Sequence, residues 1–401
     1  FDILTLFLFN FIITGNFMFS VVFSFFIFIG IYSFRVYDNN KLNFFNEQLV
    51  RTISGTLISF IPVLIIDIIF KPDADRFIYI YNLFFCGAFI PLLHKIYFKF
   101  YLKYVPVKKY IVIGKKDEIM PILNEIYDSS FRKIEFIDFL NPSPEKLEKS
   151  VNKFFKAEDN VEYDKKNYGI LVADPVLFEN VKDQVEQYKN KGMKVEYLPT
   201  VAEKYLQRIP MLVLKKFKDY YDVAFDDVEH YPPFKIFSDY LIGFFLLIIF
   251  SPFMLVMSLF LLIEDGFPII FRQKRMGFLE EEFVLWKLRS LKKGEIDPDN
   301  PNRDIEERML VTGKIARKIR MDESFQFFNV LKGDMSIVGP RPEMLEFHYK
   351  MKDNIPFYTK RLHLKPGITG WAQIYYKHTT TLEDYIKKTE YDLYYVKNRN
   401  S

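Results

Sequence analysis

The first hundred residues consist largely of apolar runs too long and too uniform for an ordinary soluble core. Residues 3–14 and 17–34 form two stretches parted by Gly15-Asn16, and Leu49–Phe70 and Phe77–Phe98 form two more. About 20 consecutive apolar residues suffice to cross the hydrocarbon of a bilayer. Four transmembrane helices over residues 1–100 are therefore expected, the first of them short; four buried helices of a soluble domain are the alternative. Pro62 and Asp67 interrupt the third run, Asp67 close enough to its end to reach the interface. After the fourth run comes His94–Lys109 (HKIYFKFYLKYVPVKK), basic and aromatic without an acidic residue. By the positive-inside rule, that places the following domain in the cytoplasm. No small-residue cleavage site follows the apolar segments, which argues against a signal peptide. The chain opens at Phe1 inside an apolar run, so its natural start is expected upstream.

The 401 residues allow two or three domains. A formal net charge of only +4 gives no reason to expect nucleic acid as a partner. The single cysteine, Cys86, lies in an apolar stretch and excludes both a disulfide framework and a cysteine metal site. The five histidines lack paired metal-ligand spacing. Any metal should be a hard cation such as Mg2+, held by carboxylate and phosphate oxygens.

From residue 108 to about 215 the pattern changes. Tyr110–Gly114, Glu135–Leu140, Gly169–Ala173 and Val195–Leu198 read as short strands, with helices over Asp117–Asp128 and Phe178–Lys191. Strands alternating with helices imply a small, Rossmann-like parallel α/β layer. Dinucleotide binding is the obvious function for such a layer. The loop after the first strand is Gly114-Lys115-Lys116-Asp117, however, with one glycine where the fingerprint needs two or three. A structural or regulatory module is the competing expectation.

Tyr231-Pro232-Pro233 marks a linker into a last domain, 233–401. Phe237–Ile263 is largely apolar, interrupted by Ser251-Pro252. The length suits a fifth span, which would carry everything after it across the membrane. Proline removes a helix hydrogen bond and bends the axis, and serine can satisfy a freed carbonyl. A helix that breaks at Ser251-Pro252 and returns to the cytoplasmic side is therefore expected, with a full span as the alternative. Beyond it, Phe267–Phe271 and Phe283–Leu288 read as short strands, Ile305–Ile319 and Leu382–Lys397 as helices, and Asp297–Arg303 as a turn-rich loop.

Gly313–Glu343 (GKIARKIRMDESFQFFNVLKGDMSIVGPRPE) holds most of the chemistry. Lys314, Arg317, Lys318 and Arg320 form a cationic stripe, followed by the adjacent carboxylates Asp322 and Glu323. A helix with Phe325, Phe328, Val330 and Leu331 then stops at Lys332-Gly333. Arg341 follows between two prolines that fix its backbone. Cations around a carboxylate pair suit a multiply charged anion, metal-bridged and reacting at phosphorus. Taken alone, an Asp-Glu pair at a helix start also serves simply to favour the positive end of the macrodipole, which would keep Asp322 ionised.

Together with Phe271–Gly277 (FRQKRMG), Trp286–Ser290 (WKLRS) and Lys365–Gln373 (KPGITGWAQ), this segment resembles the bacterial sugar transferases. These are monotopic polyprenyl-phosphate phosphoglycosyltransferases, which begin polysaccharide and glycoconjugate synthesis. The resemblance covers residues 233–397, and the layout with four membrane segments and a middle domain is that of the large members. It implies a bacterial inner-membrane enzyme, multi-pass, with its catalytic domain facing the cytoplasm. Its expected fold is membrane α plus α/β, with a re-entrant helix broken at Ser251-Pro252. The implied reaction moves a sugar-1-phosphate from a UDP-sugar to polyprenyl (undecaprenyl) phosphate, releasing UMP and initiating exopolysaccharide, capsule or O-antigen assembly. Besides substrates and the lipid bilayer, the partners to consider are a second copy of the chain and downstream glycosyltransferases.

By position in the motifs, the resemblance makes Asp322 the nucleophile and Glu323 its metal partner. Lys287, Arg289, Arg317 and Arg341 become phosphate contacts, while Arg272, Gln273 and Arg275 position nucleotide or membrane headgroups. Asp392, in Glu390–Tyr395 (EYDLYY), becomes a further ligand for Mg2+ or nucleotide. Gly367 and Gly370 shape a turn. The sequence departs from the family where Ser-Leu-Asp-Glu-Leu-Pro-Gln is usual, having Arg320-Met321-Asp322-Glu323-Ser324-Phe325-Gln326. With serine and proline absent, Asp322 is expected at the cap itself. The chain stops at Arg399-Asn400-Ser401, where members usually continue with an amphipathic stretch. A non-catalytic assembly scaffold and a Rossmann-type nucleotide-sugar-modifying enzyme are the rival functions.

Overall fold

The computed structural model describes residues 2–34, 36–37, 45–70, 77–141, 144–156, 167–226, 232–292, 307–376 and 381–398. The expected loop at 297–303, Tyr231, the side chain of Asp67 and residues 399–401 lie outside them. The chain forms two compact units, Phe1–Lys109 with Tyr127–Glu135, and Tyr110–Ile126 with Phe136–Ser401.

The first unit is helical: α1 (Asp2–Thr14), α2 (Phe17–Ser33), α3 (Phe45–Phe70), then α4 (Ile78–Phe84) passing through a π-turn, Phe85–Phe89, into α5 (Ile90–Tyr104). Asn16 separates the first two by capping α2, its Oδ1 accepting from the Phe19 amide at 3.1 Å. Two glycines bring α2 and α3 into backbone contact: a Cβ on Gly30 would lie 2.2 Å from the Gly55 carbonyl oxygen. Leu6, Phe23, Ile27, Ile31 and Ile90 fill the interior. Polar groups among them satisfy one another, Asn10 donating to Ser24 at 3.0 Å and Asn82 to Asn10 at 2.7 Å. Outward, Leu4, Ile12, Phe25, Ile61 and Phe84 are exposed, as suits lipid rather than water. Among the described residues, Phe45–Ile65 and Ile78–Tyr104 are long and apolar enough to cross a membrane, and α1 and α2 are shorter. The third helix starts at Phe45 rather than Leu49. The fourth runs on to Tyr104 rather than Phe98, because no Gly or Pro stops it before Pro106.

In the second unit a four-stranded sheet has the order β2–β1–β3–β4, from β1 (Lys108–Ile113), β2 (Ile134–Leu140), β3 (Tyr168–Val172) and β4 (Lys194–Tyr197). β3 and β4 are parallel. Helix α6 (Lys116–Ser129) joins β1 to β2, and α7 (Pro144–Lys156) follows β2. The helix expected over 178–191 is two, α8 (Pro175–Glu179) and α9 (Lys182–Asn190), divided at Asn180-Val181. After β4 come α10 (Leu198–Leu206), α11 (Met211–Lys216) and α12 (Lys218–Asp226).

Helix α13 (Pro233–Asp265) is one continuous helix through Pro252. The expected interruption at Ser251-Pro252 is therefore not a break into two helices. Ser251 turns its hydroxyl onto the Ile248 carbonyl at 2.8 Å. Most of α13 is exposed and apolar, with Phe237, Phe245, Ile249, Phe253 and Leu255 facing outward. Both of its ends are nevertheless tied to the same unit. Near the start, Lys235 pairs with Asp239 at 2.7 Å and donates to Ser336 at 2.8 Å, while Asp239 accepts from the Ile337 amide. At the finish, Glu264 accepts from the amides of Val311 and Thr312, and Asp265 pairs with Arg289.

β5 (Ile270–Met276) and β6 (Glu282–Leu288) form an antiparallel ribbon. β5 thus begins at Ile270, not Phe267, and carries the basic motif in its length. Of the helix expected over 305–319, residues 305 and 306 lie outside the described residues and α14 is Val311–Lys318, because Met309 bridges Leu291 and the Leu310 amide binds the Ser290 carbonyl, holding residues 309 and 310 extended. Next come α15 (Gln326–Lys332), ended by Gly333 at φ 91°, and β7 (Ser336–Val338). Then α16 (Leu345–Asn354), β8 (Gly367–Thr369) parallel to β7, α17 (Trp371–Tyr375) and α18 (Leu382–Asn398) complete the described chain.

Candidate active site

Alternation along the ribbon places Phe271, Gln273, Arg275 and Lys287 on one face, and all four line a cavity of about 580 Å³. Arg272 and Trp286 pair on the other face, the guanidinium 5.6 Å from the indole ring centre. Arg272 is thus separated from the residues it was expected to join.

Asp322 and Glu323 enter the cavity from a single 3-10 turn, Met321–Glu323. It follows Arg320, whose left-handed backbone (φ 62°) turns the chain out of α14. The dyad therefore precedes α15 instead of capping it. Gly313 permits the approach of α14, since a Cβ there would fall 2.2 Å from the Ser290 carbonyl oxygen. On the same helix, Arg317 Nε then donates to Ser290 Oγ at 3.0 Å. Arg341 arrives from the opposite side, after β7, where Gly339 crosses Gly367 so closely that a Cβ on Gly367 would lie 2.1 Å from the Gly339 nitrogen. Packing, more than turn geometry, is the use of that glycine.

Arg341 Nη2 donates to Glu323 Oε1 at 3.1 Å, and Lys287 Nζ stands 3.9 Å from the same oxygen. Eight cationic side chains and two carboxylates line the cavity: Arg275, Lys287, Arg289, Lys292, Arg308, Arg317, Arg320 and Arg341 with Asp322 and Glu323. Burial, then repulsion from Arg341, lowers the Lys287 ammonium to about 8. Burial and the Glu323 carboxylate push Asp322 above the usual aspartate range, opposed by Lys287 and Arg317. The expectation that a helix dipole holds Asp322 down is thereby corrected. The residue lies ahead of the helix, beside a like charge.

Two of the cations are partly spent. Arg289 is buried on Asp265 and on the carbonyls of Asp265 and Gly266, at 3.2 and 2.7 Å from Nη2. Arg275 donates to Gln273 Oε1 and to the Pro342 carbonyl. Asp392 is not presented to the cavity. It is fully buried, its Oδ2 taken by Arg361 Nε at 2.9 Å and Nη2 at 2.6 Å. The expected metal set of Asp322, Glu323 and Asp392 is therefore not assembled, and no cluster of three His, Cys, Asp or Glu able to hold a metal occurs among the described residues. The two dyad carboxylates remain suited to Mg2+, which commonly takes one or two protein carboxylates and completes its shell with substrate phosphate and water.

Arg361 gave no signal in the sequence, yet its Nη2 also donates to the Arg341 carbonyl at 2.9 Å and so steadies the residue that meets Glu323. Lys292 and Arg308 were likewise unassigned, and Arg320 was read only as part of the cationic stripe, although basic residues flanking the motifs are a usable signal. In the four-stranded sheet, the crevice between β1 and β3 is where a doubly wound layer would take a nucleotide. There Asp174 caps α8, accepting from Val176 and Leu177, and Lys216 binds both Asp174 and Glu118. The start of α8, the helix that follows β3, is thus capped by a side-chain carboxylate of its own chain.

Residues 230–401 match the bacterial sugar transferase family. A UDP-N-acetylgalactosamine-undecaprenyl-phosphate N-acetylgalactosaminephosphotransferase of Aeromonas hydrophila is 41% identical over 151 residues, 37% of this chain and 36% of that protein. A UDP-glucose:undecaprenyl-phosphate glucose-1-phosphate transferase of Klebsiella pneumoniae is 39% identical over 169 residues, 41% of this chain and 36% of the relative. The protein of that name in Escherichia coli K12 is 37% identical over 163 residues, 40% of this chain and 35% of the relative. The chain thus spans about a third of the length of the relatives it matches. Through residues 230–401, the chain is thus similar to the bacterial sugar transferase family.

Proposed function

We propose that this chain is a phosphoglycosyltransferase that moves a sugar-1-phosphate from a UDP-sugar to a polyprenyl phosphate. The observation that carries it is the dyad set among eight cations, in a domain whose relatives are named for this reaction. Each displacement brings an anionic oxygen to an anionic phosphorus centre, and that repulsion has to be neutralised first. Arg341, Lys287 and Arg317 do this from three sides. Asp322 attacks the phosphorus that bears the sugar. The bond from that phosphorus to the bridging oxygen breaks, and UMP departs with the oxygen. An oxygen of the polyprenyl phosphate then attacks the same phosphorus, freeing the Asp322 carboxylate and leaving a polyprenyl diphosphate sugar. Mg2+ held by Asp322 and Glu323 would neutralise the diphosphate charge.

The bilayer enters through the four helical segments of the first unit and through α13. Lipid-facing apolar residues cover α13, yet both its ends bind the same polar unit. A helix crossing about 30 Å of hydrocarbon would set those ends on opposite sides. This supports a helix that stays on one side of the bilayer instead of crossing it, with the active site in the cytoplasm of a bacterium, at the inner membrane.

The test is to incubate membranes containing the protein with a panel of UDP-sugars and polyprenyl phosphate and to measure UMP release with magnesium and with chelator. Release from at least one donor, lost on chelation and lost in Asp322→Asn, is expected. Release unaffected by Asp322→Asn would overturn the assignment.

A further inference from the structure

A second cavity, of about 810 Å³, reaches Glu323 but not Asp322 and shares with the first only Arg320, Glu323 and Arg341. Its own walls differ in kind. Lys388 and Glu343 are buried against each other as an ion pair and cancel. The walls also include three neutral polar side chains, Thr369, Gln373 and Tyr385, whose side-chain polar atoms take no hydrogen bond among the described residues. Tyr385 is fixed in place, its ring stacked on Phe347 at 6.1 Å and beneath the Lys388 ammonium at 5.7 Å. Burial keeps its hydroxyl protonated, raising it above the usual tyrosine range. The exposed Ile374 adds an apolar patch.

A diphosphate has no use for such walls. An uncharged polyol does, because it needs neutral donors and acceptors for its hydroxyls and an apolar surface for its ring face. Resting on the reaction proposed above, the phosphorus attacked by Asp322 carries two substituents that must diverge, the sugar and UMP. Two cavities share Glu323, one strongly cationic and the other close to balanced in charge, with three cations against two carboxylates. We infer that the nearly balanced cavity receives the donor's sugar ring and that Thr369, Gln373 and Tyr385 read its hydroxyl or acetamido pattern, while the cationic cavity holds the UMP portion.

The experiment compares wild type with Thr369→Val, Gln373→Ala and Tyr385→Phe in nanodiscs, using UDP-glucose, UDP-galactose and their N-acetyl forms with polyprenyl phosphate. The kcat/KM for each donor and the inhibition constant of UMP are read. At least one variant should change the ratio of kcat/KM between the preferred donor and its epimer by about tenfold, the scale of one lost hydrogen bond, and leave UMP inhibition within about twofold. Unchanged ratios with all donors falling together overturn the assignment, as does a parallel loss of UMP inhibition, which would put the nucleoside here. A rise confined to the KM of polyprenyl phosphate would give the cavity to the acceptor and overturn it too. Should a variant lose turnover altogether, thermal-shift titration replaces kinetics: the extra affinity of each UDP-sugar over UDP must shrink while UMP binding persists. If wild type releases UMP from no donor, the proposed reaction itself has failed, a result distinct from unchanged ratios.

Discussion

Two charged regions of the second unit use the same residue types to opposite ends. Around the dyad, Lys287, Arg317, Arg320 and Arg341 outnumber the carboxylates and line open space. Behind it, Arg361 with Asp392 and Lys388 with Glu343 are matched one to one and buried, and buried Arg208 is held between Glu390 and Glu125. A surplus of one sign must be completed by something from outside, whereas a matched buried pair is complete and serves to position its neighbours. Arg361 joins the regions, since it neutralises Asp392 and holds the Arg341 carbonyl.

The largest test of this contrast is Asp322→Asn. UMP release should fall on the order of 10⁴-fold or more, with an unchanged circular dichroism spectrum, because only a transition-state interaction is lost. Next in size is Asp392→Ala, which strands Arg361 in the interior. Unfolding free energy should drop by about 3–5 kcal/mol, read as a lowered denaturation midpoint. The milder Asp392→Asn should leave the magnesium dependence of turnover where it was. A shifted magnesium titration would return Asp392 to the dyad and erase the distinction between the regions. Arg341→Ala should reduce kcat/KM by about 10- to 100-fold, the range for one charge-assisted contact, and lysine should restore only part of it. Smaller still is an alkaline effect. Lys287 is charged below about 8 and neutral above, so donor turnover should decline several-fold as pH rises through that value. Lys287→Arg should move the decline upward. Arg272→Ala, on the far face of the ribbon, should stay within about twofold of wild type in UMP release.

The contrast also explains what could be read from the chain alone. Asp322, Glu323, Lys287, Arg317 and Arg341, which the structure brings around one cavity, could be grouped from the chain alone because each lies in a block that resembles a family motif. The apolar helices were legible from their length, and the strands of the sheet from alternation and turn residues. Asp392 misled because its motif position says nothing of the arginine 31 residues away that buries it. Arg361, Glu343 and Lys388 were invisible for the same reason, their partners being brought together only by the packing of α18. Helix α13 was legible as membrane-seeking, but the consequence of Pro252 was overread. A single lost backbone bond is tolerated where Ser251 caps the freed region and the flanking helix is well formed.

One attachment bears on where this chain can be cut. Glu390 on α18 accepts from Arg208 and from the Met211 amide at 2.7 Å, Trp371 donates to the Gln207 carbonyl at 3.0 Å, and Lys397 reaches Glu203 at 2.7 Å. A recombinant fragment beginning at Pro233 would shed every one of these partners and expose the back of α18. A fragment begun at Leu198 would keep them, so the sensible site for scissors falls between β4 and α10, some way ahead of the proline-marked junction.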